Sequence, residues 1–317
     1  MSANQKNNPL ISIIVPAFNE AENLEWHHDE MTRYLEKNSL RYEFLYVNDG
    51  STDGTLDILR SLCKNNSKAH FISFSRNFGK EPATAAGIAN AKGDVALIID
   101  ADGQHPIELL GKFLKKYKEG YEVVAGVRES NIGEGAIKKY GSKLFYYMLK
   151  TISGKDGVPG STDFRLIDRK VMDAFNDLTE RNRVTRNLID WLGFKRIEIP
   201  FNAKERHAGE ATYSIRKLFA LAINGIISHT TRPLKFIALL GGIISFTSFI
   251  ALVAMVIEKY ILNDPLGLSI SGVAILAVFI SFSIGVVLIC QGLLALYLES
   301  VYHEAQNRPL YVISEEA

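Results

Sequence analysis

Asp100-Ala101-Asp102 sets two carboxylates one residue apart, directly after the continuous apolar run Val95–Ile99. At the end of a strand the chain leaves the regular pleat, so both carboxylates can reach one divalent cation. Hard oxygen ligands of this kind suit Mg²⁺ or Mn²⁺, with pyrophosphate oxygens completing the shell. Such a cation neutralises the charge that grows on a departing nucleoside diphosphate. A D-x-D triplet alone is a weak signal and reads better as two solvated turn aspartates; its place after a buried-strand sequence is what points to chemistry. Asn48-Asp49-Gly50-Ser51-Thr52-Asp53 follows a second apolar run in the same way. Gly50 permits a tight turn, Ser51 or Asp53 can cap the next helix, and Asp49 can accept a hydrogen bond from the N–H of a uracil-type base. Capping and base recognition both stay open for this motif.

Elements that can position these groups follow from the apolar pattern. Ile11–Pro16, Phe44–Val47, His70–Ser75 and Val95–Ile99 read as strands, and Glu20–Glu36, Thr52–Cys63 and Pro82–Ala91 read as the helices between them. Continuous apolar strands suit a parallel sheet covered on both faces. Strand–helix alternation predicts an open α/β sheet with right-handed crossovers. Ligands gather at the carboxyl ends of the strands in such sheets. Asn19-Glu20, Asn48-Asp49, Arg76-Asn77 and Asp100-Ala101-Asp102 all fall at those ends. Glu122–Val127, Phe164–Ile167 and Ile197–Phe201 read as later strands.

The chain has 317 residues and a formal net charge of +1, so no global basic field speaks for nucleic-acid binding. Apolar residues are unevenly spread. Phe236–Ile257 and Pro265–Leu298 carry no charge, and about 20 apolar residues suffice to cross a bilayer. The polar start MSANQKNNPL lacks a signal-peptide core. Arg232, Lys235 and Arg308 flank the two apolar stretches, whereas the loop between them has only Lys259 as a basic residue. This asymmetry places both ends of the chain on the cytoplasmic side. The expected organisation is a catalytic domain over 1–210, a juxtamembrane amphipathic helix over 211–232, a two-helix transmembrane hairpin over 233–298 and a cytoplasmic tail over 299–317. Ile137–Ile152 and Tyr213–Ile227 mix basic and aromatic residues, as interface helices do; packing into a core is the alternative. Cys63 and Cys290 lie far apart and are not expected to pair. His27, His28, His70, His229 and His303 show no metal-ligand spacing and read as surface or turn residues.

Six segments then appear in order: Val15-Pro16-Ala17-Phe18-Asn19-Glu20, Val47–Asp53, Phe74-Ser75-Arg76-Asn77-Phe78-Gly79-Lys80-Glu81, Asp100-Ala101-Asp102-Gly103-Gln104, Thr162-Asp163-Phe164-Arg165-Leu166, and Arg206-His207-Ala208-Gly209-Glu210 with Tyr213 beyond. This ordered set resembles the family-2 glycosyltransferases of GT-A fold. More narrowly it resembles the dolichol-phosphate mannosyltransferases and the bacterial polyprenyl-phosphate glycosyltransferases, including bactoprenol glucosyltransferase. The match takes in the two apolar stretches and Glu304–Pro309 as well.

The resemblance implies roles for single residues. Pro16, Asn19, Glu20 and Asp49 line the nucleotide site. Asp100, Asp102 and Gln104 hold metal and diphosphate. Asp163 stands where relatives place a catalytic base or an acceptor-orienting carboxylate. Arg128, Lys138, Ser142, Arg165 and Arg206 gather the phosphates or the lipid head. Departures are Asn48 in place of a common Asp, Gly103 for Leu, and His105 where many relatives carry Asp. The expected partners are a nucleotide-sugar donor, a polyprenyl phosphate, the membrane and further copies of the chain. A processive polysaccharide synthase shares the early motifs, but its Q-x-x-R-W signature is absent. An inactive scaffold for lipid-linked sugars is disfavoured by the retained Asp100, Asp102 and Asp163. A nicotinamide dehydrogenase is disfavoured because no G-x-G-x-x-G follows the first strand.

Overall fold

A computed structural model of the chain describes residues 8–129, 161–181, 183–203 and 272–317, with 250 and 257. The chain divides into two compact units, residues 1–146, 156–212 and 307–317 forming one and residues 147–155 and 213–306 the other.

In the first unit, β1 (Leu10–Ala17), α1 (Ala21–Lys37), β2 (Arg41–Asn48), α2 (Thr55–Asn65), β3 (Ala69–Phe74), α3 (Lys80–Asn90) and β4 (Val95–Ile98) alternate as the apolar pattern predicts. There follow α4 (Leu109–Lys118), β5 (Val123–Arg128), β6 (Ser161–Asp168), α5 (Arg169–Asn176), α6 (Thr185–Trp191), β7 (Arg196–Phe201) and, at the end of the chain, β8 (Ile313–Glu316). The eight strands form one sheet in the order β7-β5-β6-β4-β1-β2-β3-β8.

Side chains of successive strand residues point to opposite faces, and the core divides accordingly. Ile11, Ile13 and Val15 join Leu24, Phe44, Tyr46, Leu59, Leu110 and Phe113 on one face. Ile14, Ala96 and Ile98 join Ala85, Ile88, Val171, Met172 and Phe175 on the other. Helices therefore cover both faces, which explains the unbroken apolar strands.

The sheet is mixed rather than wholly parallel. β1 pairs in parallel with β2 and with β4, and β2 with β3, but β6 runs antiparallel to both β4 and β5. That reversal matters for the site. It turns the beginning of β6 toward the carboxyl ends of its neighbours. Arg165 pairs with Ile98 at the carboxyl end of β4, and Asp163 stands two residues before it on β6. β8 adds antiparallel to β3 and covers what would otherwise be an open edge.

Of the second unit, the described part is α7 (Gly272–Ala305), a single helix of 34 residues. At 1.5 Å per residue it is about 51 Å long, and its sequence has no charged residue before Glu299. Many α7 side chains fall outside the described residues, and among the described residues alone no helix is long and apolar enough to cross a membrane. The first expected span lies outside the described residues. The expected interface helices Ile137–Ile152 and Tyr213–Ile227 also lie outside them.

Candidate active site

Asp49 closes β2 and is 3% exposed. Its Oδ1 accepts the Phe78 N–H at 2.7 Å, and its Oδ2 accepts the Gly79 N–H at 2.9 Å and the Asn77 side chain at 3.1 Å. Burial raises the pKa of this carboxyl, and the two backbone N–H groups partly offset the rise. Asp49 thus ties the end of β2 to the loop after β3. Gly50 must be glycine here. Its φ is 63°, and an added Cβ would lie 2.2 Å from the Arg76 carbonyl carbon.

Asn19 holds the neighbouring turn with a φ of 57°. Its N–H donates to Ser51 Oγ and its Oδ1 accepts the Thr52 N–H, both at 2.9 Å. The Glu20 N–H donates to Thr55 Oγ1, and Glu20 Oε2 accepts from the Asn23 side chain. Asp53 Oδ1 accepts the N–H of Thr55, the first residue of α2, but the cap position itself is Gly54 with no side-chain cap bond, so neither Ser51 nor Asp53 is the N-cap. Pro16 pairs with Val47 across β1 and β2. The four expected nucleotide-site residues, Pro16, Asn19, Glu20 and Asp49, therefore lie at the carboxyl ends of β1 and β2.

Asp100 and Asp102 follow β4. Asp102 Oδ1 accepts the Gln104 N–H at 3.1 Å, and the Gln104 amide oxygen accepts from Arg128, the last residue of β5, at 3.0 Å. Arg128 Nε is buried without a hydrogen-bond partner, so this guanidinium has donor capacity to spare. His105 packs inward, its ring stacked on Phe164 at 4.8 Å, with Nδ1 placed to accept the Asp100 N–H at 3.3 Å. An aspartate at this place would put a carboxylate into an aromatic interior, so the departure at His105 is a packing feature of this chain.

Asp100 meets Asp163 through a residue to which the sequence reading gave no role. Lys80 Nζ lies 2.7 Å and 2.9 Å from the two Asp100 oxygens and 3.2 Å from Asp163 Oδ2. Arg186 of α6 stands 3.9 Å from the other Asp163 oxygen. Burial alone would raise the Asp100 carboxyl, but the charges of Lys80 and His105 reverse this and hold it below the ordinary value. Burial likewise opposes the Lys80 ammonium, and the Asp100 and Asp163 charges outweigh it and raise its pKa. Among the described residues no three His, Cys, Asp or Glu side chains converge as a metal site. Asp100 and Asp102 supply two carboxylates on one short loop.

Residues 12–175 match the family described as glycosyl transferase family 2. The chain belongs to that family. An uncharacterized glycosyltransferase of Synechocystis is 38% identical over 305 residues, covering 96% of this chain and 95% of its own. The bactoprenol glucosyl transferase of Shigella phage SfV is 33% identical over 306 residues, covering 96% and 98%. The resemblance expected from the ordered motifs is thus met along nearly the whole chain. The crystal structure of mannosyl-3-phosphoglycerate synthase from Rubrobacter xylanophilus superposes with a TM-score of 0.51 at 20% identity, over 70% of this chain and 73% of that one. That likeness establishes the α/β fold.

Not every expected family residue joins the site. Arg165 is 1% exposed. Its guanidinium donates to the Thr162 and Arg186 carbonyls and lies 3.7 Å from Asp190. It braces β6 against α6, and its expected part in acceptor binding rests on the motif alone. Lys138, Ser142 and Arg206 lie outside the described residues. His27 and His28, read as surface residues, are buried under the site, because both fall on the inner face of α1. Lys80 carried a legible signal, since it opens a helix directly after a strand-end motif. Arg186 carried none, because only the packing of α6 on β6 brings it near.

Proposed function

We propose that this chain is an inverting glycosyltransferase that moves a hexose or N-acetylhexosamine from a UDP-linked sugar to a polyprenyl phosphate such as undecaprenyl phosphate. The observation that carries the reading is the meeting of Asp100 and Asp163 around one ammonium, at the strand ends where ligands gather in such sheets. Relatives named bactoprenol glucosyl transferase support the acceptor class.

In this reading an oxygen of the lipid phosphate forms the new bond to the anomeric carbon. The bond from that carbon to the nucleoside diphosphate breaks on the opposite face, and its electron pair leaves with the diphosphate. A lipid phosphate is already largely ionised near neutral pH, so it needs little help from a base. Asp163, set between Lys80 and Arg186, then serves to orient rather than to take a proton.

The larger demand is to bring two anions together. Arg128 has an unsatisfied Nε for this, and Lys138, Ser142 and Arg206 are proposed beside it from the motifs. The donor set fits Mg²⁺ or Mn²⁺: Asp100 already takes a cationic nitrogen on both oxygens, and Asp102 stands two residues on. Asp100 and Asp102 would hold the cation, with Gln104 beside them, and once bound it supplies charge neutralisation for the departing diphosphate. Residues 233–298, which include most of α7, are proposed to cross the cytoplasmic membrane twice, with the catalytic unit facing the cytoplasm. Self-association through the spans is part of the same proposal.

The test uses the full chain in detergent with undecaprenyl phosphate, Mg²⁺ or Mn²⁺ and a panel of labelled nucleotide sugars. The expected result is label moving into the organic phase from one donor, abolished by EDTA and reduced by about 100-fold or more in Asp102→Ala. Nucleotide hydrolysis without lipid labelling for any donor would overturn the acceptor assignment.

A further inference from the structure

Lys80 is held by more than its side chain. It is the first residue of α3, directly after Gly79, whose φ is 108°. The Gly79 and Phe78 N–H groups both donate to Asp49, so the backbone that presents Lys80 is fixed to the end of β2. Its carbonyl accepts from Thr84 Oγ1 within the first turns of α3. On its far side, Glu81 accepts the N–H of Thr185 at 2.7 Å, which ties α3 to the start of α6, and α6 carries Arg186. One short stretch, Asp49-bound at one end and α6-bound at the other, thus delivers a single ammonium between a carboxylate of the β4 end and one of β6. The Lys80 side chain is 41% exposed along its length. An ammonium has three donors, and three carboxylate oxygens lie within 3.2 Å of it.

We propose that Lys80 is an internal counter-cation that holds Asp100 and Asp163 together before substrates arrive, yields Asp100 to the divalent cation, and keeps Asp163 in place for the acceptor. This rests on the reading of Asp100 and Asp102 as the cation's ligands. Lys80 is a positioning residue in this account. Its competition with the cation has a consequence that a merely structural lysine would not have. A positive charge within about 4–6 Å of a carboxyl favours the carboxylate by about one to three pKa units, and a second cation on that carboxylate is repelled by the same charge. Removing the ammonium should therefore tighten cation binding while slowing transfer, because Asp163 loses its tether.

The experiment measures Mn²⁺ binding to the full chain in detergent, without nucleotide, by loss of the free-ion electron paramagnetic resonance signal. Wild type, Lys80→Met, Lys80→Gln and Lys80→Arg are compared, with Asp102→Ala as the control for the ligand reading. The two neutral variants are expected to bind Mn²⁺ about tenfold more tightly, with kcat lowered by about 100-fold and the donor KM changed far less. Lys80→Arg is expected to bind Mn²⁺ as wild type does and to recover part of kcat. Equal or weaker Mn²⁺ binding in whichever neutral variant folds would overturn the proposal, as would an unchanged kcat. Binding that is equally strong in Asp102→Ala would instead sink the ligand reading on which the proposal stands.

Discussion

At the scale of single residues, His27 couples the fold to pH. It shares the inner stripe of α1 with Leu24 and Met31, is 1% exposed, and neither ring nitrogen has a hydrogen-bond partner. Burial, helped by the charges of His105 and His28, pushes its pKa down to about 4. In the unfolded chain it titrates near 6.5. The stability tied to neutral His27 is therefore complete above about pH 6.5 and is lost as pH falls toward 4, amounting to about 2 kcal/mol by pH 5. Thermal unfolding in detergent should show wild type losing about 5 °C more between pH 7.5 and 5 than His27→Leu does. Identical pH slopes would show that His27 is not held neutral. Asp49 and Arg165 both stood in motifs, Asp49 with capping and base recognition open and Arg165 with a phosphate role from the resemblance; the packing adds that Asp49 accepts from the loop after β3 and that Arg165 braces β6 against α6. A motif fixes that a residue is placed with purpose; only packing decides whether its side chain faces a ligand or the protein.

At the scale of elements, the first four strands and their three helices were readable because each strand is continuously apolar and each helix follows at regular spacing. The direction of β6 was not readable, since a short apolar run looks the same in either direction. That direction brings Asp163 to Asp100, so half of the site depends on it. The helices α4, α5 and α6 escaped because their patterns are short, and β8 because ISEE has little apolar character. The turn after β2 can be tested directly. Gly50→Ala adds a Cβ 2.2 Å from the Arg76 carbonyl carbon at a positive φ. Backbone must move, and the cost is expected to be at least about 2 kcal/mol. Gly120 provides the control, with φ of 93° and nothing within 4 Å of an added Cβ. The melting temperature of Gly50→Ala should fall well below that of Gly120→Ala. Equal values would show that the loop after β3 relaxes without strain.

Across the whole molecule, the end of the chain is part of the catalytic unit. Of the tail expected over 299–317, residues 299–305 continue α7 and residues 307–317 join the first unit. Its β8 pairs with β3, Glu315 pairs with Arg60, and the Tyr311 ring stacks on Phe74 at 4.8 Å. The polypeptide thus leaves the sheet, passes through α7 and returns to the sheet edge. Removing residues 313–317 should expose the β3 edge and lower the melting temperature by several degrees, with aggregation rising in proportion; an unchanged melting curve would show that β8 contributes nothing to the sheet. The account as a whole joins that unit to a lipid acceptor, and the product reports on the junction most directly. We would purify the lipid formed from an α-linked nucleotide sugar and undecaprenyl phosphate and read its linkage by phosphorus and proton magnetic resonance. The account predicts a β-linked sugar on a phosphodiester, formed by one displacement at the anomeric carbon. An α-linked product, or sugar carried anywhere but on the lipid phosphate, would contradict it.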